Sequence, residues 1–198
     1  FFRTGAYSRI TAQYHHIDEY RRGGDLLDLP PHEAMVAEQT DHSIDGGSLS
    51  FDISSADRSN RFNAYASFQN TARKSYYGSK QDLDAYGTTH DLTAAAGVQY
   101  VHAFRKLLFM PSELTLGAEY SFDELEDRSI GYAIDTDQTV HIVGGYLQNE
   151  WKIKKWSLLI GGRLDKHNLV DHVIFSPRAN VRFNPSESVN LRASYAGG

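Results

Sequence analysis

The chain has 198 residues, carries a formal net charge of −5 at pH 7 and contains no Cys. The lack of Cys excludes a disulfide scaffold, a thiolate zinc site and a Cys nucleophile, and the acidic balance gives no basic footprint for nucleic acid. No apolar run approaches the roughly 18 residues of a membrane-spanning helix, but barrel strands of about 10 alternating residues cross a membrane without one.

Nine segments alternate apolar and polar residues and are predicted to be β-strands. Because successive side chains in a strand point to opposite faces, this alternation predicts a sheet with one apolar and one polar face. In the eighth segment, for example, Val181 and Phe183 share one face, and Asn180 and Arg182 share the other. The predicted strands are Phe2–His16, Ile44–Ser54, Phe62–Tyr76, Leu92–Phe104, Leu114–Leu125, Val140–Ile153, Trp156–Asp165, Val173–Phe183 and Val189–Ala196.

Two of these segments carry an irregularity. In the sixth, Val143 and Leu147 indicate one face as the apolar one, whereas Ile142 and Tyr146 indicate the other. In the eighth, Pro177 cannot donate a ladder hydrogen bond, so it is predicted to mark a bulge.

The predicted connections alternate between short and long. The short ones are Ala56–Asn60, Arg105–Ser112, Lys154–Lys155 and Asn184–Ser188, and the long ones are Ile17–Ser43, Tyr77–Asp91, Glu126–Thr139 and Lys166–His172. In an up-and-down meander, this order places the long loops at one end of the sheet, which is typical of outer-membrane barrels. The apolar run Leu107-Leu108-Phe109 predicts that the second turn is tighter, with strand on both sides.

Residues 32–38, HEAMVAE, are predicted to form about two turns of helix inside the longest loop. They follow Pro30-Pro31, and Pro is favourable at the start of a helix.

Several runs of residues in this meander resemble a known family. The most specific are Ser176-Pro177-Arg178, Asn184-Pro185-Ser186-Glu187 and Leu191-Arg192-Ala193-Ser194-Tyr195-Ala196, and weaker ones are Tyr20–Gly24, Leu29–Ala34, Gln148–Lys152 and Arg163–His167. Over nearly the whole chain, they resemble the barrel of TonB-dependent outer-membrane receptors. Within that group, the resemblance is strongest to receptors related to the cobalamin and colicin I receptors.

The resemblance implies a fold and a location. The strands would form an all-β, antiparallel up-and-down meander inside a transmembrane barrel of about 22 strands with a plugged lumen. Residues 1–198 are then expected to be one partial barrel domain, from which the N-terminal plug, the TonB box and the closing strands are absent. The expected location is the cell outer membrane of a Gram-negative bacterium.

The resemblance also implies a function, the import of a large, scarce solute such as a corrinoid, an iron–siderophore or haem. The expected partners are the outer-membrane lipid bilayer, the receptor's own plug domain, TonB acting through that plug, and the large small-molecule ligand, with no nucleic acid. The expected ligand contacts in the external loops are Arg21, Arg22, His32, Glu33, Tyr77 and Tyr86.

Four arginines fall on the predicted polar faces and are expected to face the lumen. They are Arg163, Arg178, Arg182 and Arg192. They could contact the plug or an anionic ligand, or they could form a charge ladder with acids such as Glu119 and Asp123 on neighbouring strands. The ladder is the favoured interpretation.

Aromatic residues near the strand ends predict interfacial girdles, because amphipathic rings prefer the headgroup level of a membrane. They are Tyr14, Phe62, Phe104, Trp151, Trp156, Phe183 and Tyr195. The alternative is ordinary aromatic packing in a soluble core.

The longest loop carries the acids Asp25, Asp28, Glu33, Glu38 and Asp41 together with His32 and His42. Carboxylates in a flexible loop could bind Ca²⁺, although their spacing matches no EF-hand and a solvated acidic loop is favoured. No other metal or cofactor is expected. An HExxH motif fails because Val36 stands where the second His is required, and no GxSxG or phosphate-binding loop is present, so enzyme activity is not expected.

Two other interpretations remain open. A soluble all-β ligand-binding module would need a second sheet over the apolar face. A barrel enzyme such as a phospholipase would need a Ser/His or acid/His set at one rim, which the sequence does not supply.

Overall fold

The computed structural model describes residues 2, 3 and 5–197, the first two by their backbone alone. It forms one antiparallel sheet in which each strand pairs with the next in sequence. The strands are β1 (Phe2–Arg3), β2 (Ser8–Gly24), β3 (Val36–Ser54), β4 (Asn60–Ser79), β5 (Tyr86–Leu107), β6 (Met110–Ser129), β7 (Ile134–Ile153), β8 (Trp156–His167), β9 (Val173–Ser186) and β10 (Val189–Ala196). This confirms the all-β up-and-down meander. The first predicted strand is divided between β1 and β2.

The sheet is open, because β1 and β10 lie at its two edges and do not pair with each other within the described residues. No helix in this part of the chain has the length and apolarity needed to cross a membrane.

The connections alternate between short and long, as predicted, but the long loops contain fewer residues than predicted. The short-turn end of the sheet holds residues 55–59, 108–109, 154–155 and 187–188, and the long-loop end holds residues 25–35, 80–85, 130–133 and 168–172. The predicted loops Ile17–Ser43 and Tyr77–Asp91 are wrong over most of their length. The strands continue through them, since β2 pairs with β3 without interruption as far as Gly24 and Ala37.

The predicted helix over residues 32–38 is also wrong. The chain makes a single 3-10 turn at Pro31–Glu33, and β3 begins at Val36. Ala34 and Ala37, three residues apart, mimic the spacing of a helical face, but both pack into one small core with Tyr76 and Ala85.

The β5–β6 turn is as tight as the sequence predicted. It consists of Leu108 and Phe109, and Leu108 has a φ of 62°. Pro177 marks no bulge, because β8 and β9 pair without a register shift around Gly162↔Pro177. Instead, Pro177 accepts a backbone hydrogen bond from Gly197, next to the end of β10.

Register continues the two faces across all the long strands. On the apolar face, Val98 pairs with Ala64 and Ala118, and Leu147 pairs with Leu116 and Gly162. The register therefore resolves the ambiguous sixth segment, because Val143 and Leu147 lie on the apolar face and Tyr146 on the polar one.

The apolar face is largely uncovered. The side chains of Val143, Leu147, Ile160, Leu164 and Phe175 are all between 51% and 60% exposed. The sheet is a single layer, and no other part of the described chain packs against the middle of this face. Among the described residues, the cluster of buried apolar side chains is formed by Ala34, Ala37, Tyr76 and Ala85, and it lies at the long-loop end.

Candidate functional site

The polar face carries a connected side-chain network in its middle. Tyr65 on β4 donates to Glu119 Oε2 at 2.5 Å, and Arg163 Nη2 on β8 lies 3.2 Å from Glu119 Oε1. Arg163 Nε also donates to Asp165 Oδ1 at 2.8 Å. Four side chains from three strands thus form one chain of charge-assisted hydrogen bonds, which are stronger than neutral ones.

Glycines on the intervening strands make room for this network. Tyr65, Gly97, Glu119, Gly144 and Asp165 lie in one row across five strands. A Cβ at Gly97 would lie 2.7 Å from the Tyr65 ring, and a Cβ at Gly144 would lie 2.3 Å from Asp165 Oδ1. The large side chains therefore lie flat across the glycines and meet at Glu119.

The neighbouring row repeats this arrangement. Tyr146 donates to Gln99 Oε1 at 2.8 Å, reaching across Gly117, where a Cβ would lie 2.4 Å from the Tyr146 ring. Large residues alternating with glycines thus give the polar face a smooth, hydrogen-bonded wall. Alternation along each strand does not predict this feature, because it depends on the register between strands.

The four predicted lumen arginines all lie on this polar face, but their partners differ. Arg163 has two carboxylate partners, as the ladder interpretation requires. Arg192 donates to Asn190 Oδ1 at 2.8 Å, and the buried Nε of Arg182 has no hydrogen-bond partner in the described structure. Among the ion pairs of residues 5–197, none involves Arg178, Arg182 or Arg192.

Nearer the long-loop end, the polar face holds a second charged group. Arg73 donates to Thr89 Oγ1 at 2.7 Å, Thr89 donates to Asp127 Oδ1 at 2.6 Å, and Arg73 lies 3.6 Å from Asp127. This group ties β4, β5 and β6 together above the first network and leaves the buried Nε of Arg73 without a partner among the described residues.

The predicted external-loop residues do not converge on one point. Arg21 lies on the polar face and pairs with Glu19 at 2.6 Å. Arg22 lies on the opposite face and donates to the carbonyls of Gly23 and Asp25, so it closes its own loop.

His32 and Tyr86 meet on the apolar-face side of the sheet. His32 Nδ1 lies 2.7 Å from the Tyr86 hydroxyl, and the Tyr86 ring packs edge-on against Tyr76 at 4.9 Å. Glu33 is exposed, and its carbonyl accepts from Gln81 Nε2 at 3.1 Å. These contacts join loops 25–35 and 80–85 into one folded lobe on the outside of the sheet.

Tyr77 belongs to the polar face and is 42% exposed, while its carbonyl accepts from the Tyr132 hydroxyl at 2.5 Å. The neighbouring loop tips present large apolar side chains to solvent, with Leu83 67% and Ile130 81% exposed. Arg21 and Tyr77 are thus the two predicted contacts that face the same side as the polar wall.

Asp25 shapes the longest loop. Its carboxylate accepts from the backbone N–H groups of Val36 at 3.0 Å and Met35 at 3.3 Å. The Val36 donor, aided by Met35, holds the pKa of Asp25 below its usual value, against the opposing effect of burial.

In the described part of the chain, no group of three or more His, Cys, Asp or Glu residues is placed to hold a metal ion.

Comparison with known proteins identifies the class. Residues 3–198 match the family described as TonB dependent receptor-like, beta-barrel, and the chain belongs to that family. No curated protein sequence matches it.

Solved structures agree on the fold. The chain is similar to the alcaligin outer-membrane receptor FauA from Bordetella pertussis, with a TM-score of 0.75 and 12% identity, over 98% of this chain and 33% of that one. It is also similar to the siderophore receptor PirA from Acinetobacter baumannii, with a TM-score of 0.66 and 14% identity, over 96% of this chain and 34% of that one. For the unliganded ferric citrate transporter FecA, the TM-score is 0.64 and the identity 13%, over 96% of this chain and 33% of that one. The chain thus spans about a third of each.

Proposed function

We propose that this chain is part of the barrel of an outer-membrane receptor that imports a large, scarce solute. In this proposal the apolar face contacts lipid and the polar face lines the lumen. The observation that carries it is the bare apolar face of a single-layer sheet, more than half exposed at Leu147, Leu164 and Phe175. Monomeric soluble proteins rarely leave such a continuous apolar surface open to water.

The proposed solute class is an iron–siderophore, a corrinoid or haem. The named siderophore and citrate receptors favour an iron chelate, whereas the sequence runs at 176–196 favour the cobalamin and colicin I receptor group. In this proposal the solute is captured at the external loops, and Arg21 and Tyr77 are the proposed contacts because they share the polar side. The exposed Leu83 and Ile130 add apolar surface beside them.

The proposed protein partners are inferred from the arginines of the polar face. Glu119 and Asp165 balance the charge of Arg163, whereas Arg178 and Arg182 pair with no carboxylate among the described residues. We propose that these two cations face acidic or carbonyl groups of the receptor's plug domain, on which TonB acts. The proposed role requires no cofactor in this segment, and calcium in the external loops stays a prediction.

A binding experiment tests this function. The full-length receptor is expressed in outer-membrane vesicles, which are incubated separately with a labelled ferric siderophore, ferric citrate, cobalamin and haem. We expect one class to bind, and we expect Arg21→Ala and Tyr77→Ala to weaken that binding about tenfold, or about 1.4 kcal/mol each.

Lys74→Ala is the matched control, because Lys74 lies on the same strand as Tyr77 but on the opposite face. It should bind like the unchanged receptor. Recovery of the receptor in the soluble fraction, with no binding of any of the four ligands, would contradict the proposal and favour the soluble binding module.

A further inference from the structure

A groove runs along the apolar face between β6 and β9, with a volume of about 670 Å³. Its floor is made by Gly145 and Gly162, which are diagonal neighbours on β7 and β8. A Cβ added at Gly145 would meet no atom closer than the Gly117 carbonyl oxygen at 3.8 Å, so this stretch of the groove is open. The volume lies within the roughly 300–1,000 Å³ range of small-molecule sites.

The walls of the groove are hydrocarbon. They are formed by Leu147, Ile160, Leu164 and Phe175, and the Phe175 ring lies across Gly162. A groove with such a lining is suited to a flexible, apolar chain.

The end of the groove nearest the short turns is different, because it contains one polar side chain that lacks a partner, and a second unpaired polar side chain lies beside it on β6. Asn149 is 8% exposed, and neither its Oδ1 nor its Nδ2 has a hydrogen-bond partner in the described structure. Ser112, its diagonal neighbour on β6, is 7% exposed and its hydroxyl is also unpaired there. Buried polar groups without partners are costly, so they indicate a ligand that supplies them.

The depth of Asn149 identifies the kind of ligand. Trp151, the next residue on the same face, stacks on Phe109 and donates its ring N–H to the Leu107 carbonyl at the β5–β6 turn. Trp rings of this kind sit at the headgroup level of a bilayer. Asn149 lies two residues further in, about 6–7 Å along the strand, so in the proposed orientation it is on the acyl-chain side of the headgroup level.

We propose that this groove binds one diacyl glycerophospholipid of the leaflet on the short-turn side. One acyl chain lies over Gly145 between Leu147 and Leu164, and the two ester carbonyls accept from Asn149 Nδ2 and the Ser112 hydroxyl. The two unpaired donors match the two carbonyls of a diacyl lipid. The site depends on the membrane orientation proposed above but not on which solute is transported.

Native mass spectrometry of the full-length receptor tests the site, with phosphatidylethanolamine as the probe and lipid A in a parallel titration. We expect one phosphatidylethanolamine to stay bound to the unchanged receptor. Retention should fall at least fivefold in Gly145→Leu, which fills the groove, and about threefold in Asn149→Leu. Ala66→Leu adds the same side chain at an exposed position of the apolar face on β4 and should retain lipid normally.

Equal retention in all four proteins, or equal retention of lipid A, would overturn the proposal. Asn149→Leu also reports on stability. If the Asn149 amide has no lipid partner, its replacement should give a more stable receptor whose lipid retention is unchanged. If Gly145→Leu does not fold, a cryo-EM map of the unchanged receptor in nanodiscs decides. Acyl density over Gly145 supports the site, and water or protein density at Asn149 refutes it.

Solute binding separates this inference from the proposed function. Gly145→Leu should bind the solute within twofold of the unchanged receptor, since the groove is on the other face from Arg21 and Tyr77. Failure to bind any solute, with lipid retention intact, would bear on the transport proposal alone.

Discussion

Two regions of the apolar face differ in how far their apolar side chains are buried. At the long-loop end, Tyr76 is fully buried beneath loop residues, including Ala34 and Ala85. In the middle, Leu147 is 56% exposed and no loop or second layer covers it. Both residues have the same orientation on the pleat, so their difference is not a matter of register.

In the proposed membrane orientation, the two regions meet different surroundings. Beyond the lipid-facing part of the apolar face, water is the neighbour, and the loops at the long-loop end cover Tyr76. In the middle of that face, lipid tails take the place of a second protein layer, because they are as apolar as a Leu side chain.

The largest expected effect is at the covered region. Tyr76→Ala should destabilise the loop lobe by about 3 kcal/mol, because it leaves a cavity among side chains that pack on it. Hydrogen exchange of the amides at residues 32–37 and 83–86 in the full-length receptor would report this as faster exchange.

Leu147→Ala is the comparison in the bare region and should cost less than about 0.5 kcal/mol in a bilayer, since lipid fills the vacated space. Tyr76→Phe is the control within the lobe. The Tyr76 hydroxyl has no partner among the described residues, so its removal should be nearly neutral. A large cost at Leu147 would mean that protein, not lipid, packs there.

A charge on the apolar face should have the next largest effect. Ala179→Lys should destabilise the intact barrel by about 2–4 kcal/mol if Ala179 lies near the bilayer midplane, and by less near the rim. Asn180→Lys, one residue along on the polar face, should be tolerated. Urea unfolding of the full-length receptor in lipid vesicles measures both, and equal tolerance at the two positions would contradict the assignment of the faces.

A smaller effect is expected in the polar wall. Glu119→Gln removes the charge that links Tyr65 and Arg163. It should lower the free energy of unfolding by about 1 kcal/mol, because Arg163 and Glu119 are partly open to solvent, with side chains 33% and 32% exposed. The loss should shrink at high salt. Glu124→Gln is the control, since Glu124 lies on the opposite face of the same strand, and an equal loss there would argue against the network.

The smallest expected effect is a local titration in the β3–β4 turn. The Ser55 hydroxyl, the Ser59 N–H and the Ser59 hydroxyl donate to Asp57 and lower its pKa from 3.8 to about 2. Because the folded-state pKa is lowered, the turn is stabilised above about pH 3.8, and this stabilisation is lost as the pH falls towards 2.

NMR of the isotope-labelled receptor would follow the Asp57 carboxyl directly. Ser55→Ala should return the midpoint towards 3.8, because it removes the largest cause of the shift. An ordinary midpoint in the unchanged receptor would show that the turn is not formed as described.

The middle parts of the strands could be predicted because their apolar and polar residues alternate strictly, as lipid on one side and a polar lumen on the other require in the proposed orientation. The sequence predicts β8 as Trp156–Asp165, and the strand ends at His167. Towards the long-loop end this alternation disappears, as at Glu19, Arg21 and Arg22, and there the proposed orientation has water on both faces. The strand extensions therefore looked like loops.

The polar wall could be predicted only in part. Alternation placed Glu119 and Arg163 on the same face, which was enough to name them as potential partners. The row of Tyr65, Gly97 and Glu119 depends on the register between β4, β5 and β6, and no local sequence signal sets that register. For the same reason, the unpaired Asn149 in the lipid-side groove was not expected.

The central claim is that bilayer hydrocarbon covers the apolar face. Single spin labels are placed at Val143→Cys, Leu147→Cys, Tyr146→Cys and Gln148→Cys in the full-length receptor in vesicles, with any Cys outside these 198 residues replaced, since the 198 residues contain none. Electron paramagnetic resonance then compares the access of oxygen, which concentrates in lipid, with that of a water-soluble nickel complex. We predict high oxygen access at 143 and 147 and nickel access at 146 and 148. Nickel access at 143 and 147, or protection of both positions from both reagents, would contradict the account.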